Sequence, residues 1–137
     1  MRILGIDYGN RRTGVAVSDE TEFLASSVGN VVESDPEKTA ARVAEIYKEQ
    51  NAGKIVLGLP KNMDGSSGFR VDHTMRFKEL LEGLLPGVEI VLYDERMTTL
   101  AAAQYMNITD VRGKKRKNTI DTLAAKIILQ DYLDSQR

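Results

Sequence analysis

Acidic side chains at three separate places in the sequence have the types and positions that could do chemistry. Asp7 ends a β-prone segment, the pair Asp94–Glu95 ends a later one, and Asp121 lies on the apolar stripe of a helical pattern near the carboxyl end. Strand ends and helix starts in an α/β sheet converge on one crevice, so we expect these carboxylates to cluster. At a separation of about 4 Å and an effective dielectric of about 20, two like charges repel by about 4 kcal/mol, so the cluster must bind protons or a divalent cation.

A carboxylate cluster of this kind indicates a particular metal chemistry. Carboxylate oxygens are hard ligands, which suit Mg²⁺ or Mn²⁺. Such ions can activate water and stabilise the leaving oxygen of a phosphodiester, so the cluster indicates phosphoryl transfer. The run from Arg112 to Lys117 holds five cationic residues in six, although the whole chain has a net charge of -1. We predict that this run is a loop between the last two helices and that it contacts nucleic-acid phosphates.

Each acidic position also has a purely structural explanation. Asp7 fits an Asx turn that satisfies loop amides. Asp94 fits the N-cap of a following helix, and Glu95 fits a surface ion pair with Arg96. Asp121 fits a capping box at the start of the last helix. The alternation of a strand does not choose between Asp94 and Glu95, because either of them could share the face of Asp7.

The composition limits the class of protein. The chain has 137 residues, of which 42% are hydrophobic and 28% charged, so we expect a single folded domain over residues 1–137. It contains no cysteine, which excludes disulfide frameworks, thiolate zinc sites, iron–sulfur clusters and cysteine nucleophiles. Its single histidine leaves few options for histidine-based metal sites or catalytic triads. No apolar run approaches the ~20 residues of a membrane span, and no signal-type segment opens the chain, so we expect a soluble, unexported protein with no membrane partner.

Hydrophobic periodicity and turn residues predict a hairpin followed by alternating strands and helices. The first helix is predicted to begin at Pro36 and to stop before Asn51. The predicted strands are 2–6, 13–18, 23–32, 54–59 and 88–93, and the later helices are 71–84, 98–105 and 119–133. This order predicts an α/β fold with a mixed five-stranded sheet flanked by helices, in which the first three strands are antiparallel and the fourth and fifth are parallel.

Several motifs, in order along the chain, resemble those of a known family. The motifs are Ile6-Asp7-Tyr8-Gly9 with Arg12-Thr13-Gly14-Val15-Ala16, Gly58-Leu59-Pro60 with Met63-Asp64-Gly65, Asp94-Glu95-Arg96-Met97-Thr98-Thr99, and Ile120-Asp121 with Ala124-Ala125. They run nearly from end to end, and the chain resembles the YqgF family of Holliday-junction-resolvase-like nucleases. The resemblance implies a ribonuclease H-like fold, a cytoplasmic location, a Mg²⁺ or Mn²⁺ cofactor, and a role in trimming the 5′ end of the precursor of 16S, the small-subunit ribosomal RNA.

The resemblance also implies roles for individual residues. It matches Asp7, Glu95 and Asp121 to the acidic positions of the family, so these three are expected to be catalytic and to bind the metal. Phosphate contacts are expected from Arg12, Arg96 and Thr98, and from the basic run of Lys114, Lys115, Arg116 and Lys117.

Two positions depart from the wider ribonuclease H-like pattern. Related enzymes often carry an acid at the end of the strand that here reads Val56-Leu57-Gly58-Leu59-Pro60, so Glu95 would have to substitute from the neighbouring strand. Junction resolvases commonly show two aspartates three apart on the last helix, whereas Asp121 has no acid at that spacing. Asp64 and Asp94 are candidates for the missing ligand.

Four functions remain open at this point. They are a nuclease for the ribosomal RNA precursor, a Holliday junction DNA endonuclease, a non-catalytic nucleic-acid-binding module, and an ATP-binding lobe of the actin and sugar-kinase type. The last one is included because Asp7-x-Gly9 followed by Arg12-Thr13-Gly14 resembles the phosphate loop of that fold. We expect nucleic acid as the partner and a monomer or weak homodimer. His73 and its charged neighbours are interpreted as the solvated start of a helix.

Overall fold

The computed structural model describes residues 1–60, 68–95 and 113–137, and for residues 113–122 the description covers the backbone alone. Its strands are β1 (Arg2–Asp7), β2 (Arg12–Ser18), β3 (Ala25–Val32), β4 (Ala52–Leu59) and β5 (Ile90–Asp94). Its helices are α1 (Pro36–Glu49), α2 (Phe69–Leu84) and α3 (Gly113–Ser135). The predicted order of strands and helices is confirmed along these ranges, while the predicted helix 98–105 lies outside the described residues.

One mixed sheet organises the described residues. Its strand order is β3-β2-β1-β4-β5. β2 pairs antiparallel with both β1 and β3, while β4 is parallel to β1 and β5 is parallel to β4. The predicted five-stranded sheet with an antiparallel and a parallel part is therefore confirmed. Because β1, β4 and β5 run in the same direction, their carboxyl ends form one edge of the sheet, which holds Asp7, Leu59 and Asp94.

Alternation along the strands divides the apolar side chains between two cores. On one face of the sheet, Leu4 and Ile6 of β1 pack with Phe77 of α2 and with buried residues of α1. On the other face, Ile3 packs with Leu129 and its neighbours on α3. Burial of each such side chain contributes about 1.5 to 3 kcal/mol of hydrophobic stabilisation. The sheet is therefore a middle layer, with α1 and α2 on one face and α3 on the other.

The first helix begins where its capping residue predicts. The Glu37 amide donates a hydrogen bond of 3.0 Å to the Asp35 carboxylate, and Pro36 occupies the first turn. After the helix ends, Asn51 adopts a positive φ of 53°, which turns the chain directly into β4. Among the helices of the described ranges, none combines the length and the apolar character needed to cross a membrane.

The third strand begins later than predicted. The amides of Phe23 and Leu24 donate hydrogen bonds of 2.8 and 3.0 Å to the carboxylate of Asp19. These bonds hold both residues in a turn, so the strand starts at Ala25 and not at residue 23.

The C-terminal helix is longer than predicted. α3 begins at Gly113 and not at residue 119, so the basic run 114–117 is helical along its backbone and the prediction of a loop is wrong. Lys and Arg are good helix formers, which explains why a run of them extends the helix. The capping box predicted for Asp121 is also wrong, because Asp121 lies inside α3 and not in its first turn.

Candidate active site

Asp7 lies at the carboxyl end of β1, on the face of the sheet that α3 covers. Alternation along β1 puts Asp7 on the same face as Ile3, which packs against α3. The chain turns just afterwards at Gly9, where a Cβ atom would overlap the carbonyl oxygen of Arg12. Glycine therefore permits this tight turn, and a half-buried carboxylate is held at the end of a well-packed strand.

Glu95 follows the last residue of β5 and extends over the neighbouring strand β4. A Cβ atom added to Gly58 would lie 2.9 Å from Oε2 of Glu95 and 2.7 Å from Cδ1 of Ile128. The carboxylate of Glu95 thus occupies space that a side chain at Gly58 would fill, between β4 and α3. This is the geometry that a substitute ligand from the neighbouring strand requires.

The packing of β5 distinguishes Glu95 from Asp94. Tyr93 packs in the core beneath α3, whereas Leu92 packs in the core beneath α1 and α2. Continued alternation directs Glu95 to the α3 face and Asp94 to the opposite face. Glu95 is therefore the acid that shares a face with Asp7.

The pKa of Glu95 is raised above its ordinary value, and burial of the carboxyl group is the main cause. The negative charge of Asp94 acts in the same direction. The positive charge of Arg70 and a side-chain hydrogen bond with Asp7 lower the pKa of Glu95 but do not offset burial. The hydrogen bond brings the two carboxyl groups into contact, and the raised pKa means that this part of the site favours a bound cation, either a proton or a metal ion.

Arg12 brings a positive charge to the same edge of the sheet. It is the first residue of β2. Gly14 of β2 pairs with Asp7 and so lies on the same face of the sheet, and Arg12, two residues before Gly14, shares that face. The Nη1 atom of Arg12 is buried and has no hydrogen-bond partner among the described residues. A buried donor without a partner costs about 1 to 3 kcal/mol, so this guanidinium group is suited to bind an acceptor such as a phosphate oxygen.

The structure brings together two of the three acids that the sequence singles out, Asp7 and Glu95. Asp121 lies in α3, one helical turn before the buried Ala125, but its side chain is outside the description, as are those of the basic run 114–117. Other candidates lie outside the described residues altogether: Asp64, Arg96 and Thr98. Among the side chains that the structure does describe, no group of three or more histidines, cysteines and acids could hold a metal ion.

Two glycines and one arginine shape the site without having been predicted to do so. Gly58 leaves room for the carboxylate of Glu95, and Gly5 lets α3 approach β1, since a Cβ atom there would lie 2.7 Å from Cβ of Leu129. Glycine inside a strand often marks a position that another part of the protein approaches closely. The presence of Gly5 and Gly58 within predicted strands is therefore the sequence signal for these contacts. Arg70 acts on Glu95 from the start of α2, and no local pattern indicates that long-range pairing.

The chain matches known proteins over nearly its whole length. A family model described as "RuvX: Holliday junction resolvase" matches residues 1–135. A protein of Staphylococcus haemolyticus is 43% identical over 136 residues, which cover 98% of this chain and 96% of that protein. A protein of Bacillus cytotoxicus is 44% identical over 138 residues, which cover 99% of this chain and 100% of that protein. Both relatives carry the name "Putative pre-16S rRNA nuclease".

Solved structures share the fold at low sequence identity. RuvC of Thermus thermophilus in complex with a Holliday junction substrate gives a TM-score of 0.63 at 16% identity, covering 99% of this chain and 95% of that chain. The fowlpox virus resolvase in complex with Holliday junction DNA gives a TM-score of 0.55 at 11% identity, covering 99% of both chains. These neighbours confirm the predicted ribonuclease H-like fold. Because the family model matches residues 1–135, the chain belongs to the RuvX family, as its resemblance to the YqgF proteins predicts.

Proposed function

We propose that this protein is a metal-dependent endonuclease that processes the 5′ end of the 16S ribosomal RNA precursor by hydrolysing a phosphodiester bond. The names of the relatives in Staphylococcus haemolyticus and Bacillus cytotoxicus support this substrate. The observation that carries the chemistry is the buried carboxyl group of Glu95, which lies above Gly58 in hydrogen-bonding contact with Asp7. Two acids in contact require added positive charge to ionise together, so the pair is suited to hold a cation at the reacting phosphate.

The side chains at this edge of the sheet fit a divalent metal ion. Asp7 and Glu95 offer carboxylate oxygens, which are the ligands that Mg²⁺ and Mn²⁺ prefer. Burial raises the pKa of Glu95, so a cation beside it would offset the cost of desolvating the ionised form. When bound, such an ion supplies Lewis-acid stabilisation of negative charge on phosphoryl oxygens. We propose Asp121 as the third ligand, because it lies on α3, the helix that covers the face of Asp7 and Glu95.

Basic side chains are proposed to hold the nucleic acid around this edge. Arg12 has a buried donor without a partner among the described residues, on the face of Asp7, so it would bind a phosphate beside the carboxylates. Arg96, Thr98 and the basic run from Lys114 to Lys117 are proposed as further contacts to the strand. Residues 1–137 would then act as a single cytoplasmic nuclease domain.

Replacement of Asp7 by asparagine tests the proposed chemistry. Asp7→Asn keeps the size of the side chain but removes its charge, so cleavage of a precursor RNA in Mg²⁺ should fall by more than about a hundredfold. Loss of a mere supporting partner of a metal ligand already costs about 10- to 100-fold. RNA binding in EDTA should persist.

A matched control separates loss of the site from loss of charge in general. Asp134→Asn removes an equivalent charge from the far end of α3, where Asp134 is exposed and pairs with Arg137 at 3.1 Å. This variant should cleave like the wild type. Cleavage by Asp7→Asn at the wild-type rate would contradict the role proposed for Asp7.

A Holliday junction DNA endonuclease is the second candidate, favoured by the description of the matching family model. Parallel assays with precursor RNA and with a four-way DNA junction would separate the two substrates. Faster turnover of the RNA supports the first proposal, while faster turnover of the junction would replace it. Binding of both substrates without cleavage in Mg²⁺ or Mn²⁺ would make the protein a non-catalytic nucleic-acid-binding module. Tight ATP binding in calorimetry would favour the kinase-like alternative.

A further inference from the structure

A cavity of about 360 Å³ lies beside the end of β1, on the face of the sheet opposite the carboxylates. It is bounded by the turn after β1, by the start of α1 and by the first half of α2. The residues that matter for its chemistry are Tyr8, Asn10, Arg11, His73 and Arg76. Its volume lies near the lower end of the range for small-ligand sites, about 300 to 1,000 Å³, which suits one nucleotide and excludes a duplex.

The packing of Tyr8 leaves part of its ring available to a ligand. Tyr8 stacks on Phe77, with ring centroids 4.1 Å apart and 16° between the ring planes. Phe77 is fully buried, so it supports the Tyr8 ring from the side of the core. Tyr8 is half-buried and lines the cavity, so a ligand would meet the other face or the edge of its ring. Every nucleobase has a π-face that can stack on such a platform.

Two arginines give the cavity a positive charge. Arg11 and Arg76 line it and are exposed, and neither takes part in a salt bridge within the described part of the chain. The nearby acids are engaged in capping: Asp35 accepts the Glu37 amide, and Glu33 accepts the amide of Asp35, both at 3.0 Å. No carboxylate is among the described residues that line the cavity, so it is suited to an anion such as a phosphate.

A second cavity, of about 150 Å³, adjoins the first beside the turn after β1 and the start of α2. The two cavities share Tyr8, Asn10 and His73 in their linings, and the second one adds Arg70. The charge of Arg70 also acts on Glu95. A strand with one phosphate at the carboxylates would therefore pass Arg70 and reach the ring of Tyr8.

We propose that the larger cavity binds one unpaired nucleotide of the substrate strand next to the cleavage site, with its base against Tyr8 and its phosphate between Arg11 and Arg76. This proposal rests on the proposed function, because the strand in the cavity is the one hydrolysed beside Asp7 and Glu95. A paired base cannot enter a cavity of this size without leaving its helix, and unpaired bases are the ones that proteins stack on aromatic rings. The protein would thus select a single-stranded or opened segment beside the scissile bond.

An abasic scan tests the proposal directly. Binding of a short single-stranded RNA would be measured by fluorescence anisotropy in EDTA, with a series in which one base at a time is removed while every phosphate is kept. Removal of one particular base should weaken binding by about 5- to 150-fold, the range for loss of one stacked base, and removal of the other bases should have much smaller effects. A blunt duplex of the same sequence should bind more weakly than the intact single strand.

Variants of the cavity connect that penalty to the proposed residues. Tyr8→Leu should remove the penalty for the abasic position, while Tyr8→Phe should retain it because the ring is kept. Since Tyr8→Leu also alters packing on Phe77, Arg11→Ala and Arg76→Ala serve as surface variants, each lowering the salt dependence of RNA binding by about 0.7 of a slope unit. Lys48→Ala is the control, because Lys48 lies on the same helix as Pro36 but ~18 Å away along its axis, and this variant should retain the full penalty.

Several outcomes would overturn the proposal. The first is an abasic scan in which removal of each base weakens binding equally, and the second is a scan that is the same in Tyr8→Leu as in the wild type. The third is micromolar binding of free nucleoside monophosphates in calorimetry, which would assign the cavity to a small molecule. Cleavage of the same RNAs in Mg²⁺ separates this proposal from the proposed function. If the RNA is cleaved but no single base matters for binding, only the proposed nucleotide site is wrong. If one base matters for binding but the RNA is not cleaved, the nucleotide site is supported and the nuclease assignment is wrong.

Discussion

Alanine in place of Gly58 would test whether the position of the Glu95 carboxylate controls the reaction. An added methyl group would lie 2.9 Å from Oε2 of Glu95 and 2.7 Å from Cδ1 of Ile128. Ordinary van der Waals contact begins at 3.4 Å, so the carboxylate must retreat by about half an ångström. Both crowded atoms are the ends of flexible side chains, so they can move without the backbone.

The expected loss of stability is small and the expected loss of activity is larger. Overpacking by a methyl group costs about 1 to 3 kcal/mol, and movable neighbours put Gly58→Ala near 1 kcal/mol. For a chain of this length, that free energy corresponds to a fall in melting temperature of roughly 4 °C. Displacement of a reacting group by about 1 Å costs on the order of a hundredfold in rate, so half of that displacement should cost about tenfold.

The assay would compare single-turnover cleavage of a precursor RNA in Mg²⁺ with thermal melting of the same samples. Gly83→Ala is the matched control, because a Cβ atom at Gly83 has no atom within 4 Å among the described residues and the position is helical. This control should cleave at the wild-type rate and gain about 0.5 to 1 kcal/mol of stability. Wild-type cleavage by Gly58→Ala, together with the expected drop in melting temperature, would refute the claim that Glu95 must lie where the structure places it.

Three further predictions concern Gly5, Glu95 and the basic run 114–117. Gly5→Ala should lower the free energy of unfolding, measured in denaturant, by ~3 kcal/mol, which is more than the loss for Gly58→Ala. The reason is that the new methyl group would meet Cβ of Leu129, which cannot move without its helix. A loss equal to or smaller than that of Gly58→Ala would contradict this. Burial raises the pKa of Glu95 in the folded protein. The folded state therefore gains stability from protonated Glu95 below the ordinary pKa of about 4.3, and this contribution is lost as pH rises through the raised pKa. Glu95→Gln should therefore melt above the wild type near neutral pH without divalent metal and converge with it near ~pH 4, and a constant difference across this range would exclude burial as the cause. Neutralising the basic run 114–117 should reduce the slope of log affinity against log salt by about 3 to 4 units, and an unchanged slope would reject that run as a contact surface.

The succession of strands and helices along the chain and the start of α1 could be predicted from the sequence. Both depend on local physics, since period-two burial marks strands, and Asp35 with Pro36 marks the start of a helix. The same local reasoning puts Asp7 at the end of β1. It does less well where side chains compete with a local pattern, as when Asp19 captures the amides of Phe23 and Leu24 and delays β3.

The physical reason why Glu95 and not Asp94 joins Asp7 came from the tertiary structure. The family resemblance pointed to Glu95, but alternation along the strand did not choose between the two acids, because it gives the period of a strand and not its register against a distant neighbour; the pairing of β5 with β4 supplies that register. That placement puts the carboxylate of Glu95 over Gly58 and within the field of Arg70. Such contacts join residues far apart in the chain, and their energies depend on burial, which no local pattern of residue types specifies.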